Sequence, residues 1–340
     1  MTSTATPVLT APVLEVRNLR KDFPVRRGLL GRHLGTVHAV DGVSFALRAG
    51  ETLGLVGESG CGKSTTGRMI LRLLDPTAGE IYLNGERVDR LSRRAMRRRR
   101  RTLQVIFQDP YSSLNPRLRA KEIVAEPLRN FAKLGKKEIE RRVGELFQQV
   151  GLRSDQMQRF PHEFSGGQRQ RLVIARALAP RPKVIVCDEP VSALDVSVQA
   201  QVINLLSDLQ RNFGVAYVFI AHDLAVVEHI SHRVAVMYLG RIVELADKRD
   251  LFASPQHPYT EALLSAVPTP DPRATRQRVI LQGEVPSPIS PPSGCHFHTR
   301  CRYAEARCRT ETPAMREVAP GHFAACHLRP GKVVEAAPTI

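Results

Sequence analysis

Residues 57 to 64 read GESGCGKS, and this octapeptide constrains the fold more than any other part of the chain. It fits G-x-x-x-x-G-K-[ST], follows the apolar run 53–56 and opens a helical pattern over residues 63 to about 74, where Asp75-Pro76 is expected to end it. A strand, a glycine-rich turn and a helix in that order gather backbone N–H groups and a helix N-terminus around one point, and a phosphate fits there. Gly57, Glu58, Ser59, Gly60, Cys61, Gly62, Lys63, Ser64 and Thr65 are therefore the expected phosphate-binding residues. Lys63 neutralises β- and γ-phosphate charge, and the Ser64 hydroxyl holds Mg²⁺. A chance glycine-rich turn would not carry the matching strand and helix on both sides.

Two further apolar runs, 184–187 and 215–220, read as buried strands of the same α/β fold. The first ends in Asp188-Glu189-Pro190. Adjacent carboxylates at a buried strand end are costly without a cation nearby, and Mg²⁺ at Ser64 supplies one. Asp188 is then the Mg²⁺ residue, and Glu189 orients and deprotonates the attacking water. Residues 164 to 168 read FSGGQ ahead of a helical run to about residue 179. Ser165 is a good N-cap and the glycines leave N–H groups open, which makes a second anion-binding helix start. Between about 109 and 164 the strand pattern stops. Residues 136–151 instead have helical spacing, with Ile139, Val143, Leu146, Phe147 and Val150 on one side. This stretch reads as a helical insert.

Ser165, Gly166, Gly167 and Gln168, one helix ahead of the acidic strand, resemble the signature of ABC ATPases, which a generic phosphate-loop ATPase lacks. The resemblance implies a RecA-like phosphate-loop core with an antiparallel β subdomain, a helical subdomain over about 109–170, and roles for further residues. Gln108 corresponds to the glutamine that links the Mg²⁺ and ATP site to the helical insert, and His222 to the catalytic histidine that meets the γ-phosphate. Ser192, Ala193, Leu194 and Asp195 correspond to the loop that crosses a dimer interface, and Phe23 to the ring stacked on adenine. In such ATPases the phosphate loop of one cassette and the signature of the other clamp each ATP. One chain carries one copy of each, so a second cassette is implied.

QDPYSSLNPR from Gln108, DEPVSALDVSVQAQV from Asp188, YLGRIVE from Tyr238, HPYTEALLSAVP from His257 and GEVPSPISPPSGC from Gly283 narrow the resemblance. They are similar to ATPase subunits of bacterial dipeptide and oligopeptide importers, nearest the second ATPase of the dipeptide system. Importers of nickel, glutathione and other small solutes share these stretches. The branch implies a non-identical partner ATPase, two integral membrane permease subunits and an extracytoplasmic solute-binding protein. The stretch after Gln108 is expected to receive a cytoplasmic helix of the pore.

The formal net charge of +17 invites an acidic partner: nucleotide, nucleic acid or an anionic membrane face. The densest positive charge, Arg93, Arg94 and Arg97 to Arg101, reads as the solvated face of a helix. No aromatic platform interleaves it and the chain has no Trp, so nucleic acid is not an expected partner. A soluble ABC ATPase acting on nucleic acid or ribosomes is the alternative of another class. No apolar run approaches the roughly 20 residues of a spanning helix, and the N-terminus lacks secretory-signal features. A peripheral position at the cytoplasmic face of the membrane follows.

After about residue 266 prolines exclude long elements, and Cys295, Cys301, Cys308 and Cys326 crowd together. Their spacing, C-x5-C-x6-C-x17-C, leaves an iron–sulfur cluster, zinc and free thiols open. The importer resemblance implies a [4Fe–4S] cluster on these four, with zinc second. The expected organisation is a flexible tail over 1–12, a nucleotide-binding domain over 13–265 and a small irregular cysteine-rich extension over 266–340. The ATP motifs all precede residue 223, so the cluster is expected to take no part in hydrolysis.

Overall fold

In the computed structural model, which describes residues 11–27, 32–132, 134–267 and 279–334, the short apolar runs assemble side by side. Leu103–Ile106, Val184–Asp188, Ala216–Ile220, Thr52–Val56 and Arg233–Tyr238 pair in that order, all parallel. Parallel strands are buried on both faces, and their side chains alternate between two cores. Ile185, Cys187, Tyr217 and Phe219 face one core, with the helices Ala120–Phe131, Lys136–Gln149, Gly166–Leu178 and Val196–Phe213. Val184, Val186, Val218 and Leu55 face the other, with Met69 and Ile70 of the helix Lys63–Ile70. That second core also takes Val16, Leu19, Phe45 and Ile81 from an antiparallel sheet ordered Arg32–Leu47, Leu14–Arg27, Ala78–Leu83 and Glu86–Arg87. The α/β core, the antiparallel subdomain and the helical insert thus match expectation. Among the described residues no strand lies between Ile106 and Val184. Residues 1–10 of the expected N-terminal tail and 268–278 and 335–340 of the expected extension lie outside the described residues.

Two local expectations are corrected. The helix after the phosphate loop ends at Ile70, four residues before the expected stop. Arg72 takes a left-handed conformation (φ 52°), its N–H bonds to Met69 O at 2.9 Å and Leu73 N–H bonds to Arg68 O at 2.9 Å. This is a Schellman close built without glycine, and it turns the chain before Asp75-Pro76.

The extension is less irregular than its prolines imply. Arg241–Asp247 pairs antiparallel with Arg233–Tyr238 and then with His322–Ala324, which pairs with Arg316–Ala319 and, beyond it, Lys332–Val333. The main sheet therefore has nine strands among the described residues. Glu244, fully buried, joins the two parts: it accepts from His322 Nε2 at 2.7 Å, Gln256 N at 2.7 Å and His257 N at 2.8 Å. Three donors offset the cost of burying that carboxylate.

Candidate active site

The parallel strands deliver their carboxyl ends to one edge of the sheet, where α/β folds bind ligands. Thr52–Val56 opens there into the phosphate loop. Gly57 (φ 149°) and Gly62 (φ 106°) hold backbone angles that side chains rarely adopt, and a Cβ on either would lie 2.2 Å from a carbonyl oxygen, Met237 O or Ala39 O. Lys63 is buried, and its ammonium donates to Gly57 O at 2.7 Å and Glu58 O at 3.0 Å. It is thereby curled over its own loop. Cys61 is buried beside it, 3.8 Å from Nζ, and burial raises its thiol pKa. Ser59, Gly60 and Thr65 complete the turn and the first helical turn.

Val184–Asp188 ends against this loop, and Ser64 Oγ donates to Asp188 Oδ1 at 2.7 Å. A hydroxyl and a carboxylate so joined fit a hard cation such as Mg²⁺, which takes few protein ligands and completes its shell with water and phosphate oxygens. Glu189 follows in a left-handed conformation (φ 49°), held by its N–H to Ile220 O at 3.0 Å and by Ser192 Oγ donating to Glu189 O at 3.1 Å. A non-glycine residue kept there stores strain, a frequent mark of function. Its Oε2 accepts from Gln108 Nε2 at 3.1 Å and lies 3.3 Å from His222 Nδ1. Residues from the ends of three strands thus converge on one carboxylate. Cys187 is fully buried and burial pushes its thiol pKa up, as suits a core residue.

Ser165 caps the helix Gly166–Leu178 by accepting from Gln168 N at 3.3 Å, and Gln168 Oε1 accepts from Ser165 N at 3.1 Å. That capping box leaves the Gly166 and Gly167 end of the helix open to an anion. No described contact joins this signature to the chain's own phosphate loop. It packs instead on the next loop and the helix that follows it: a Cβ at Gly166 would lie 3.5 Å from Leu194, and one at Gly167 would lie 2.5 Å from Val198 on the helix Val196–Phe213. Asp195 caps Val196–Phe213, and the Val198 N–H at 2.9 Å holds its carboxyl below the usual range. Ala193 and Asp195 are exposed, and Val196 is 82% exposed, an apolar side chain left bare at a loop expected to meet a partner. Phe23 sits on the antiparallel sheet opposite Val37, its ring 5.1 Å from Lys21 Nζ and 37% exposed.

Residues 40–192 match the family model "ABC transporter", and residues 243–308 match "Oligopeptide/dipeptide transporter, C-terminal region". The oligopeptide transport ATP-binding protein AppF of Bacillus subtilis is 53% identical over 93% of this chain and 97% of its own length. The "probable peptide ABC transporter ATP-binding protein" y4tS of Sinorhizobium fredii is 54% identical over 93% of this chain and 90% of its own. The chain belongs to the ABC transporter family. The ATP-binding cassette MJ0796, solved as a post-hydrolysis dimer with ADP and Pi, superposes with a TM-score of 0.61 at 27% identity, over 69% of this chain and 99% of that one. The fold and the ATPase activity of this ABC protein follow from these matches, in agreement with the sequence-derived expectation.

The four extension cysteines come together. Cys295 N–H bonds to Cys308 O at 2.8 Å, Cys308 and Cys326 are buried, and none forms a disulfide. Burial lifts the Cys295 thiol pKa to about 11, and the neighbouring Cys308, Cys326 and Cys301 add to the rise. Among the described residues no group of three or more His, Cys, Asp or Glu side chains is spaced to hold a single metal ion. Four gathered, unlinked thiols are the donor type that both an iron–sulfur cluster and a zinc site use.

The extension also reaches the ATP motifs. Arg300 Nη1 and Nη2 donate to Glu58 Oε2 at 2.7 Å and Oε1 at 3.0 Å, and the Glu58 N–H donates to the Tyr259 hydroxyl at 2.8 Å. Neither residue announces itself in sequence. Tyr259 stands in the HPYTEALL stretch, but nothing there marks a link to the phosphate loop.

Proposed function

We propose that this chain hydrolyses ATP as one half of a cassette pair and so energises uptake of dipeptides or oligopeptides. The convergence of Gln108, Glu189 and His222 beside the Ser64–Asp188 pair is the observation that carries the chemistry. Lys63 exchanges its loop carbonyls for phosphate oxygens. Glu189 orients water and takes its proton, while His222 holds the carboxylate's far side and meets the γ-phosphate. Mg²⁺, when bound by Ser64 and Asp188 with Gln108 alongside, neutralises phosphate charge. Phe23 supplies a ring for adenine from the antiparallel sheet.

The Ser165–Gln168 turn, exposed at Ser165 and Gly166, serves the ATP held by a second cassette, and Ser192 to Asp195 line the contact between the two. The peptide reading is supported by the names of the relatives and by the family matched over residues 243–308. It brings with it two membrane permease subunits, an extracytoplasmic solute-binding protein and a peripheral position at the cytoplasmic face. Among the described residues no helix is long and apolar enough to cross a membrane. Cys295, Cys301, Cys308 and Cys326 would hold a [4Fe–4S] cluster that pins a segment poor in apolar residues.

Glu189→Gln tests the chemistry. In the assembled transporter it should bind ATP but hydrolyse it slower by on the order of 10²–10⁴-fold, the usual loss with a general base. Turnover near wild type would overturn the assignment. Uptake of labelled dipeptides against nickel and glutathione, in cells carrying the whole transporter, separates the solutes.

A further inference from the structure

Glu58 is an acid built into a loop whose purpose is to bind an anion. Every polar group it has is engaged: its carbonyl by Lys63 at 3.0 Å, its N–H by Tyr259 at 2.8 Å and its carboxylate, through both oxygens, by Arg300. Arg300 lies 242 residues downstream, and its side chain is only 7% exposed. Its position is set by an aromatic cluster. Phe297 packs on Tyr238 and Tyr259, with centroids 5.2 Å and 5.4 Å apart, and Arg300 N–H bonds to Phe297 O at 3.0 Å. The guanidinium also lies 6.0 Å from the Tyr238 ring centre. Tyr259 is fully buried on the helix Pro258–Ser265.

We propose that Arg300 is a positioning residue for ATP: its forked ion pair neutralises Glu58 and fixes the first turn of the phosphate loop. The proposal rests on reading residues 57–64 as the ATP phosphate site. Without Arg300, the Glu58 carboxylate stands uncompensated beside the incoming phosphates, and like charges so placed repel. The loop also loses its tie to the extension. The extension thereby contributes to nucleotide affinity without touching nucleotide. A planar fork suits this task better than an ammonium, because it engages both carboxylate oxygens at once.

The test uses the full-length chain and a fluorescent ATP analogue with Mg²⁺. Arg300→Met keeps the aliphatic packing and removes the charge, and it should raise the Kd on the order of tenfold. Adding Glu58→Gln should recover most of that loss, measured against Glu58→Gln alone, because the repelling charge is gone. Arg300→Lys should fall between. If Arg300→Met does not fold, the smaller loss in Arg300→Lys must be relieved by Glu58→Gln in the same way. A merely structural Arg300 predicts no such rescue. Unchanged affinity in Arg300→Met, or a double variant no tighter than the single, overturns the proposal. Lys63→Ala run alongside separates the two readings. If it keeps ATP affinity, the phosphate-loop reading falls; if it loses affinity while Arg300→Met does not, only the role of Arg300 falls.

Discussion

Lowering the pH from about 7.5 to about 5 should loosen the helix Pro258–Ser265 through one residue, His257. His257 is 2% exposed, and its Nδ1 accepts the Tyr259 N–H at 3.1 Å, so the ring must be neutral with its proton on Nε2. Burial drives its pKa from the ordinary 6.5 to about 4; the Glu244 carboxylate opposes the shift and Arg329 reinforces it. The sign follows from which state binds the proton. Between about 4 and 6.5 the opened segment takes up a proton that the closed segment refuses, so stability rises with pH across that window and is lost as pH falls through it. At about pH 5 the opened form gains about 2 kcal/mol, a factor of roughly 30. Amide hydrogen exchange of a peptide spanning this helix, corrected for the intrinsic rate, should show that loss of protection in the wild type. His257→Asn keeps a cap acceptor without a titrating ring, so its protection should be nearly flat over the same range. Equal pH dependence in the two proteins would refute the reasoning. The consequence for function is direct, because this helix carries the Tyr259 hydroxyl that receives the Glu58 N–H.

Lys63→Ala should weaken nucleotide binding where this chain supplies the phosphate loop, whereas Ser165→Arg should damage the opposite site. Photolabelling of the assembled pair should place the two defects on different nucleotides, and a structure with both motifs of one chain on one ATP would refute this. Anaerobically purified protein should contain iron and acid-labile sulfide with visible absorption, and replacing Cys295, Cys301, Cys308 or Cys326 by Ser should abolish them; one zinc per chain without sulfide would overturn the cluster.

What the sequence made legible are features whose chemistry acts over a few residues. Gly57 and Gly62 are dictated by backbone angles and by carbonyls 2.2 Å from any added Cβ. Asp188 and Glu189 end a strand whose burial is written in its own apolar run. Ser165 caps a helix that starts at the next residue. Each such signal survives without knowledge of the rest of the chain. The Schellman close at Arg72 escaped because the left-handed residue is not glycine, the usual clue.

The links between the extension and the cassette escaped for a different reason. Glu244 and His322 are 78 residues apart, and Arg300 and Glu58 are 242 apart, so neither pair leaves a periodicity or motif. The strands His322–Ala324 and Arg316–Ala319 are too short to signal alternation, and they exist because Arg241–Asp247 offers them an edge to pair with. Tertiary contact defines them, and Arg300 on Glu58 ties the extension to the phosphate loop. Prolines and cysteines do prevent residues 279–315 from building long elements of their own. A segment with so little regular structure can hold Arg300 still only through anchors on either side of it: Phe297 in the aromatic cluster, and the strand at Ala324 on the main sheet. On that account a cluster held by the four cysteines, spread between and beyond these anchors, would stiffen the arm that carries Arg300. Anything that loosens them should then be felt first as weaker nucleotide affinity, before the cassette itself unfolds.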